Sequence, residues 1–117
     1  MSQRIRRNRS FLGLLANRST PRQQFISLIK TATKDQIRSL YECILNLLHR
    51  AVPLSRYELN RVQNFKTFLY KLIDNKISDA RKKRMIIQKG GFFPAIIGPI
   101  LAAIAGSVAG SVAQKYV

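Results

Sequence analysis

The chain has 117 residues, which is enough for one small domain. Its 21 lysines and arginines far outnumber its 5 acidic residues, so the formal net charge is +16 and we expect a polyanionic partner, either nucleic acid or an anionic membrane surface. The single cysteine, Cys43, cannot form an internal disulfide, which excludes a disulfide-stabilised scaffold.

The N-terminal segment, residues 1–19, combines positive charge with a short apolar run. Its first nine residues predict a flexible basic arm. The candidate nucleic-acid-binding residues of this arm are Arg4, Arg6, Arg7 and Arg9. Phe11, Leu14 and Leu15 then share one face of a predicted short helix that Ser10 caps. The apolar run is too short for the hydrophobic region of a secretory signal, so no such signal is expected.

Helix-start signals recur through residues 20–89, which we expect to form one basic helical domain. Thr20, Thr33 and Ser55 each precede a Gln or Glu by three residues, which is the pattern of a capping box. Apolar residues at helical spacing follow the second signal, namely Ile37, Leu40, Tyr41, Ile44, Leu47 and Leu48. A last helix is predicted to begin at Ser78. No segment alternates apolar and polar residues, so the predicted fold is all-α, a small antiparallel bundle of three or four helices.

The last predicted helix carries a second basic cluster. Its residues are Arg81, Lys82, Lys83 and Arg84. Exposed Lys and Arg side chains bind phosphates by releasing counterions, without reading bases. Both clusters therefore predict non-specific binding to double-stranded DNA, and both also match the composition of nuclear-import signals. An anionic lipid surface is the alternative polyanion.

Residues 90–117 form an apolar segment rich in Gly and Ala, with no charged residue at positions 91–113. Its length is compatible with a helix that crosses a bilayer, and its small residues at four-residue spacing favour close helix contacts and self-association. The residues expected to contact lipid or a partner helix are Phe92, Phe93, Ile96, Ile97, Ile100, Leu101, Ile104, Gly106 and Gly110. Three interpretations stay open: a conditionally membrane-active segment, an ordinary single span, or a tail that packs on the helical body.

Patterns of catalytic and metal-binding residues are missing from the sequence. His49 falls at the polar end of a predicted helix and Cys43 beside its apolar stripe, at a spacing that does not suit a Cys–His dyad. No cluster has metal-ligand spacing, and the glycines lack the sequence context of a phosphate-binding loop. We therefore expect a non-enzymatic protein with no catalytic residue, metal or cofactor.

Residues 35–108 resemble a small basic protein encoded by adintoviruses and by the related Maverick/Polinton elements of animal genomes. Three stretches carry the resemblance, in the order DQIRSLYECILNLLHRAVPLS, DNKISDARKKRMIIQ and KGGFFPAIIGPILAAIAG. The last stretch is also similar to the C-terminal part of the adenovirus core protein mu precursor, in which an Arg-rich region meets a Gly-Gly-apolar-Pro segment.

The resemblance implies a virion component, a DNA-associated core or minor capsid protein that is assembled in the host nucleus and acts on a host membrane during entry. The implied partners are viral DNA, membrane lipids, the major capsid protein and a viral cysteine protease. Adenovirus-type proteases cut after Gly-Gly, and the matching pair here is Gly90-Gly91, although Gln88 stands where they prefer a hydrophobic residue. Two other functions fit the residues: a single-span membrane protein with a basic cytoplasmic domain, and a capsid cement protein.

Overall fold

The computed structural model describes residues 2–17, 19–49, 54–89 and 98. Within these residues the chain forms seven α-helices and no β-strand, which confirms the predicted all-α class. The helices are α1 (Gln3–Arg7), α2 (Arg9–Ala16), α3 (Arg22–Lys30), α4 (Lys34–Leu48), α5 (Arg56–Asn64), α6 (Lys66–Leu72) and α7 (Asp79–Gln88). The antiparallel arrangement stays a prediction, and the predicted C-terminal apolar helix lies outside the described residues, apart from Gly98.

The longest helix, α4, is the centre of the packing, because α1, α2 and α6 all contact it. Thr33 and Gln36 form a reciprocal capping box at its start, as the sequence predicts. The apolar stripe of α4 is buried, and Leu40 and Ile44 have no exposed surface. Burying one aliphatic side chain stabilises a fold by about 1.5–3 kcal/mol, so this stripe is a principal source of stability.

The N-terminal residues are not a flexible arm, because Gln3–Arg7 is helical and packs against α4. The Ser2 side chain caps this helix by accepting a hydrogen bond from the Ile5 N–H. Ile5 itself has no exposed surface and belongs to the hydrophobic core. The prediction of flexibility is wrong because one apolar side chain among the arginines has a place in the core, and two of those arginines have carboxylate partners on α4.

The start of the chain differs from its prediction in two further details. Ser10 lies inside α2 and does not cap it, and Leu14 is 38% exposed while its neighbour Leu12 is fully buried. Thr20 does not cap α3, whose N-cap is Pro21. The Thr20 hydroxyl instead donates to the Leu14 carbonyl oxygen at 2.7 Å, so it holds the connection against the end of α2.

Two of the later helices, α5 and α7, begin where the sequence predicts. Ser55 and Glu58 form the predicted capping box of α5, and Phe65 separates α5 from α6. The Ser78 side chain accepts a hydrogen bond from the Arg81 N–H at the start of α7, as the sequence predicts. Because α7 packs against α3, its basic cluster lies beside another helix and is not free on all sides.

One hydrophobic core unites the described residues. Each of the seven helices contributes to it, including α1 and α2 from residues 1–19. The buried residues of this core are Ile5, Phe11, Leu12, Leu15, Phe25, Ile29, Ile37, Leu40, Cys43, Ile44, Leu47, Val62, Leu69, Leu72 and Ile86. The positions of the cationic side chains are therefore fixed by helices that pack on a common centre.

Candidate nucleic-acid interface

The N-terminal basic cluster is divided between side chains that are paired with carboxylates and side chains that have no such partner among the described residues. Arg4 donates from Nε to Asp35 Oδ1 (3.1 Å) and from Nη1 to Glu42 Oε1 (2.9 Å). Arg7 Nη2 donates to Asp35 Oδ1 (3.0 Å), and Asn8 Nδ2 donates to Asp35 Oδ2 (2.8 Å). The hydrogen bonds from Arg7 and then Asn8 lower the pKa of Asp35 to about 2, and the Asp35 carboxylate raises the pKa of Arg7. Arg4 and Arg7 therefore serve the contact between α1 and α4.

Among the described residues of this cluster, Arg6 and Arg9 are the arginines without a carboxylate partner. Both residues are exposed, and neither side chain has an ion pair or a hydrogen bond to another residue in the described part of the chain. A guanidinium without an internal partner can form charge-assisted hydrogen bonds to a phosphate without first breaking a bond within the protein. These two arginines are the better candidates for phosphate contact.

The α7 cluster is divided in the same way. Lys82 is only 4% exposed, and its Nζ lies 4.5 Å from the centroid of the Tyr41 ring. Such a cation–π contact contributes about 2 kcal/mol when it is desolvated. Lys83 Nζ donates to the carbonyl oxygens of Ala32 (3.1 Å) and Lys30 (3.3 Å), where α3 ends. A cation is favourable at this position because the C-terminus of a helix carries partial negative charge.

Arg81 and Arg84, in contrast, are exposed on α7. Neither side chain has an internal ion pair or hydrogen bond to another described residue. Further exposed cations lie along α3 to α7 and their connections, namely Arg22, Lys30, Lys34, Arg38, Arg56, Lys66, Lys71, Lys76 and Lys89. The cationic surface is thus wider than the two clusters that the sequence singles out.

The few carboxylates of the chain all have hydrogen-bond partners within the protein. Asp35 and Glu42 bind α1, where the Ser2 hydroxyl also donates to Glu42. Glu58 completes the capping box of α5, Asp74 accepts from the Lys76 N–H at 2.9 Å, and Asp79 accepts from the Tyr41 hydroxyl at 3.0 Å. The carboxylates are therefore engaged by partners within the protein, whereas most of the cations that the structure describes are exposed to solvent.

An open polar pocket of about 350 Å³ lies between α1, α4 and the start of α7. Its lining residues are Arg4, Arg38, Tyr41, Glu42, Asn75, Ile77, Asp79 and Lys82. The three cations of this lining are nearly balanced by two carboxylates, so an anion inside the pocket would be attracted and repelled at similar range. The lining of the pocket therefore resembles a network of ion pairs more closely than a phosphate-binding site.

Among the described residues, we find neither an activated cysteine nucleophile nor a cluster of metal ligands. Cys43 is fully buried, and desolvation raises the pKa of its thiol to about 12, so it is not a thiolate at neutral pH. His49 is exposed at the C-cap of α4. Across residues 2–17, 19–49 and 54–89, no group of three or more His, Cys, Asp or Glu side chains is placed to hold a metal ion.

Several predicted functional residues lie outside the described part of the chain. They are the candidate cleavage pair Gly90 and Gly91 and the candidate membrane-contacting residues Phe92, Phe93, Ile96, Ile97, Ile100, Leu101, Ile104, Gly106 and Gly110. Among the helices that the structure describes, none has the length and apolar character needed to cross a membrane.

Sequence reasoning missed the aromatic partners of the cations. Among the described residues, the cation–aromatic contacts are Lys82 with Tyr41, Arg61 with Tyr57, and Lys66 with Tyr70. The last two pairs have a four-residue spacing within one helix, and this spacing is a signal that the sequence does contain. The first pair joins α7 to α4 and depends on tertiary packing.

Comparisons of the chain with known protein families, with curated proteins and with solved structures find no match.

Proposed function

We propose that the protein is a non-enzymatic structural component of a virion that binds and condenses double-stranded DNA without sequence preference. The observation that carries the proposal is the unequal use of charge: the five Asp and Glu side chains have internal partners, while most of the cations in the described part of the chain do not. Such a surface attracts phosphates through counterion release and repels other copies of itself in the absence of a polyanion.

Within this proposal, the cations of the two sequence clusters have different roles. Arg6, Arg9, Arg81 and Arg84 contact phosphates because they are exposed and lack internal partners. The other members of the two clusters hold the fold together, namely Arg4, Arg7, Lys82 and Lys83. The remaining exposed cations raise the positive potential around these contacts without each binding a phosphate.

The C-terminal segment completes the proposed function. Positions 91–113 carry no charge, and in this proposal they act on a host membrane during entry or on the major capsid protein during assembly. Contacts between small residues join tails of neighbouring copies. The resemblance to adintovirus and Maverick/Polinton proteins supports a virion location, nuclear assembly and a viral cysteine protease that cuts after Gly91.

Salt dependence of DNA binding tests the central claim. The logarithm of the duplex association constant should fall with the logarithm of salt concentration by about 0.9 for each phosphate bound. A variant that replaces the four proposed phosphate-binding arginines with glutamine should have a flatter slope, by about 0.9 for each phosphate that is no longer bound. The substitutions of this variant are R6Q, R9Q, R81Q and R84Q.

A control variant removes the same charge elsewhere on the surface. Its substitutions are R22Q, K34Q, K76Q and K89Q, all at exposed positions. The proposal expects a smaller change of slope from this control than from the first variant. A wild-type slope near zero contradicts DNA condensation, and equal slopes for the two variants contradict the assignment of the phosphate-binding residues.

Dye release from liposomes tests the tail. The full-length protein should release dye, and replacing Ile100 and Ile104 with lysine should abolish release, because a lysine at the centre of a membrane helix costs about 2.5–3.5 kcal/mol. DNA binding of the same variant should be no weaker than that of the wild type. Dye release that survives both substitutions would rule out the proposed membrane action of this segment.

A further inference from the structure

Within the described part of the chain, the exposed Phe and Tyr rings lie on α5 and α6, where exposed cations accompany them. Every exposed residue on these two helices is basic, aromatic or neutral and polar. These residues are Arg56, Tyr57, Asn60, Gln63, Asn64, Lys66, Thr67, Tyr70 and Lys71. The one acidic residue of the two helices, Glu58, is partly buried and accepts a hydrogen bond from the Ser55 N–H in the capping box. No exposed carboxylate on α5 or α6 therefore repels an anionic partner.

The two exposed tyrosines each lie beside a cation of the same helix. Tyr57 is 66% exposed, and the Arg61 guanidinium carbon lies 5.6 Å from its ring centroid. Arg61 Nη1 also donates to the Tyr57 hydroxyl at 3.0 Å, which fixes the ring on the helix surface. Tyr70 is 46% exposed, with Lys66 Nζ 5.9 Å from its ring centroid. Each pair thus presents an accessible aromatic surface and a positive charge within a few ångströms of each other.

We infer that the two tyrosine–cation pairs, Tyr57 with Arg61 on α5 and Tyr70 with Lys66 on α6, bind single-stranded nucleic acid. Unpaired bases can stack on an exposed ring while the adjacent cation binds the neighbouring phosphate, and this combination is what single-strand-binding surfaces use. The bases of a duplex are already stacked on each other, so the phosphates of a duplex can bind the cations but its bases cannot stack on the tyrosine rings. The inference rests on the proposed polynucleotide binding and adds a preference for unpaired strands at α5 and α6.

The neighbours of the tyrosines favour a nucleic acid over a membrane surface. A helix that enters the interfacial region of a bilayer needs exposed apolar residues beside its aromatic rings. On α5 and α6 the exposed neighbours are instead amides and a hydroxyl, from Asn60, Gln63, Asn64 and Thr67. These groups can exchange hydrogen bonds with base edges, sugars and phosphates.

Binding measurements with the full-length protein test the inference. A labelled oligothymidylate and a duplex of equal length are titrated in parallel, by fluorescence anisotropy at fixed salt. Replacing Tyr57 and Tyr70 with alanine should weaken binding to oligothymidylate roughly fivefold for each ring, which is the lower end of measured base–aromatic stacking. Affinity for the duplex should change less than about twofold, because its electrostatic contacts are retained.

A matched variant distinguishes the contribution of the tyrosine rings to binding from that of their hydroxyl groups. Replacing the same two residues with phenylalanine keeps the stacking surface, so binding to oligothymidylate should stay within about twofold of the wild type. Circular dichroism should show unchanged helical content for both variants, because both side chains are exposed. Loss of single-strand binding in the phenylalanine variant would contradict stacking as the mechanism.

The duplex measurement distinguishes failure of the inference from failure of the proposed function. If the wild type binds duplex but the alanine variant loses no single-strand affinity, or loses both affinities equally, the inference is overturned and duplex binding stands. The same variants are also titrated with anionic phosphatidylserine vesicles. If the alanine variant loses affinity only for these vesicles, the two tyrosines form a membrane contact and the inference is overturned. If the wild type binds neither polynucleotide, both proposals are overturned.

Discussion

The N-terminal helix and the α5–α6 region are both strongly basic, but the fold uses their cations differently. On α1, Arg4 and Arg7 are paired with Asp35 and Glu42, so they stabilise a contact between helices. On α5 and α6, the cations beside the exposed tyrosines have no carboxylate partner among the described residues. The comparison shows that the density of arginine in a sequence is a poor guide to a binding surface when a few carboxylates are placed to neutralise it.

The largest effect that tests this comparison comes from Ile5. Replacing Ile5 with alanine should lower the free energy of unfolding by about 2–5 kcal/mol, because this side chain of α1 is fully buried in the hydrophobic core. Urea denaturation followed by circular dichroism measures the change. Leu14→Ala is the control on the adjoining helix and should cost much less, since Leu14 is 38% exposed. If the Ile5 variant were as stable as the wild type, α1 would not be packed in the core and the prediction of a flexible arm would be correct.

The capping box of α5 provides the next effect in size. Ser55→Ala should lower the free energy of unfolding by about 1 kcal/mol, because the Glu58 N–H loses its side-chain acceptor. Ser55→Asp should retain most of the stability, since aspartate is also a favoured N-cap residue. If alanine and aspartate were equally destabilising in thermal denaturation, the cap would not be what fixes the start of this helix.

Substitutions on α7 separate internal from outward-facing cations in a single measurement. Arg81→Gln should flatten the salt dependence of duplex binding by about 0.9 in slope, the value for one bound phosphate. Lys82→Gln removes the same charge but should leave the slope nearly unchanged, because Lys82 is 4% exposed and lies on the Tyr41 ring. Equal slopes for the two variants would mean that Lys82 leaves its internal position when DNA binds.

The smallest expected effect concerns pH and Asp35. Because the pKa of Asp35 is lowered to about 2 in the folded protein from an ordinary value near 3.8, its ion pairs contribute stability above about pH 4. That contribution is lost as the pH falls from about 4 towards 2. Asp35→Asn should therefore be less stable than the wild type at neutral pH, with a difference that shrinks over this range. Denaturant titrations at pH 7 and near pH 2 make the comparison.

The same substitution also tests whether pairing with Asp35 keeps the arginines of α1 from binding DNA. Asp35→Asn removes the carboxylate that holds Arg7 and one of the two that hold Arg4. The freed guanidinium groups should strengthen duplex binding and steepen its salt dependence, by up to about 0.9 in slope for each additional phosphate bound. Unchanged binding would indicate that α1 faces away from the DNA.

The sequence predicts the helices better than it predicts the interface. The capping boxes at Thr33 and Ser55 and the start of α7 at Ser78 are confirmed, because a cap depends on residues three positions apart in the chain. The predicted caps at Ser10 and Thr20 are wrong, because α2 begins before Ser10 and the Thr20 hydroxyl donates to the Leu14 carbonyl oxygen instead. The candidate residues beyond position 89 lie outside the described residues, apart from Gly98, and their roles stay predictions.

Periodicity, capping and composition are local or additive properties, so they suffice to predict the helical class, the central amphipathic helix and the excess of positive charge. They do not predict which cations are free to bind a partner, since that depends on contacts between residues far apart in the chain. Arg4 and Asp35 are separated by 31 positions, and Lys83 reaches a carbonyl group 51 positions away. Packing around α4 and α3 brings these groups within hydrogen-bond distance, and the remaining exposed cations and tyrosines form the surface that we propose for polynucleotides.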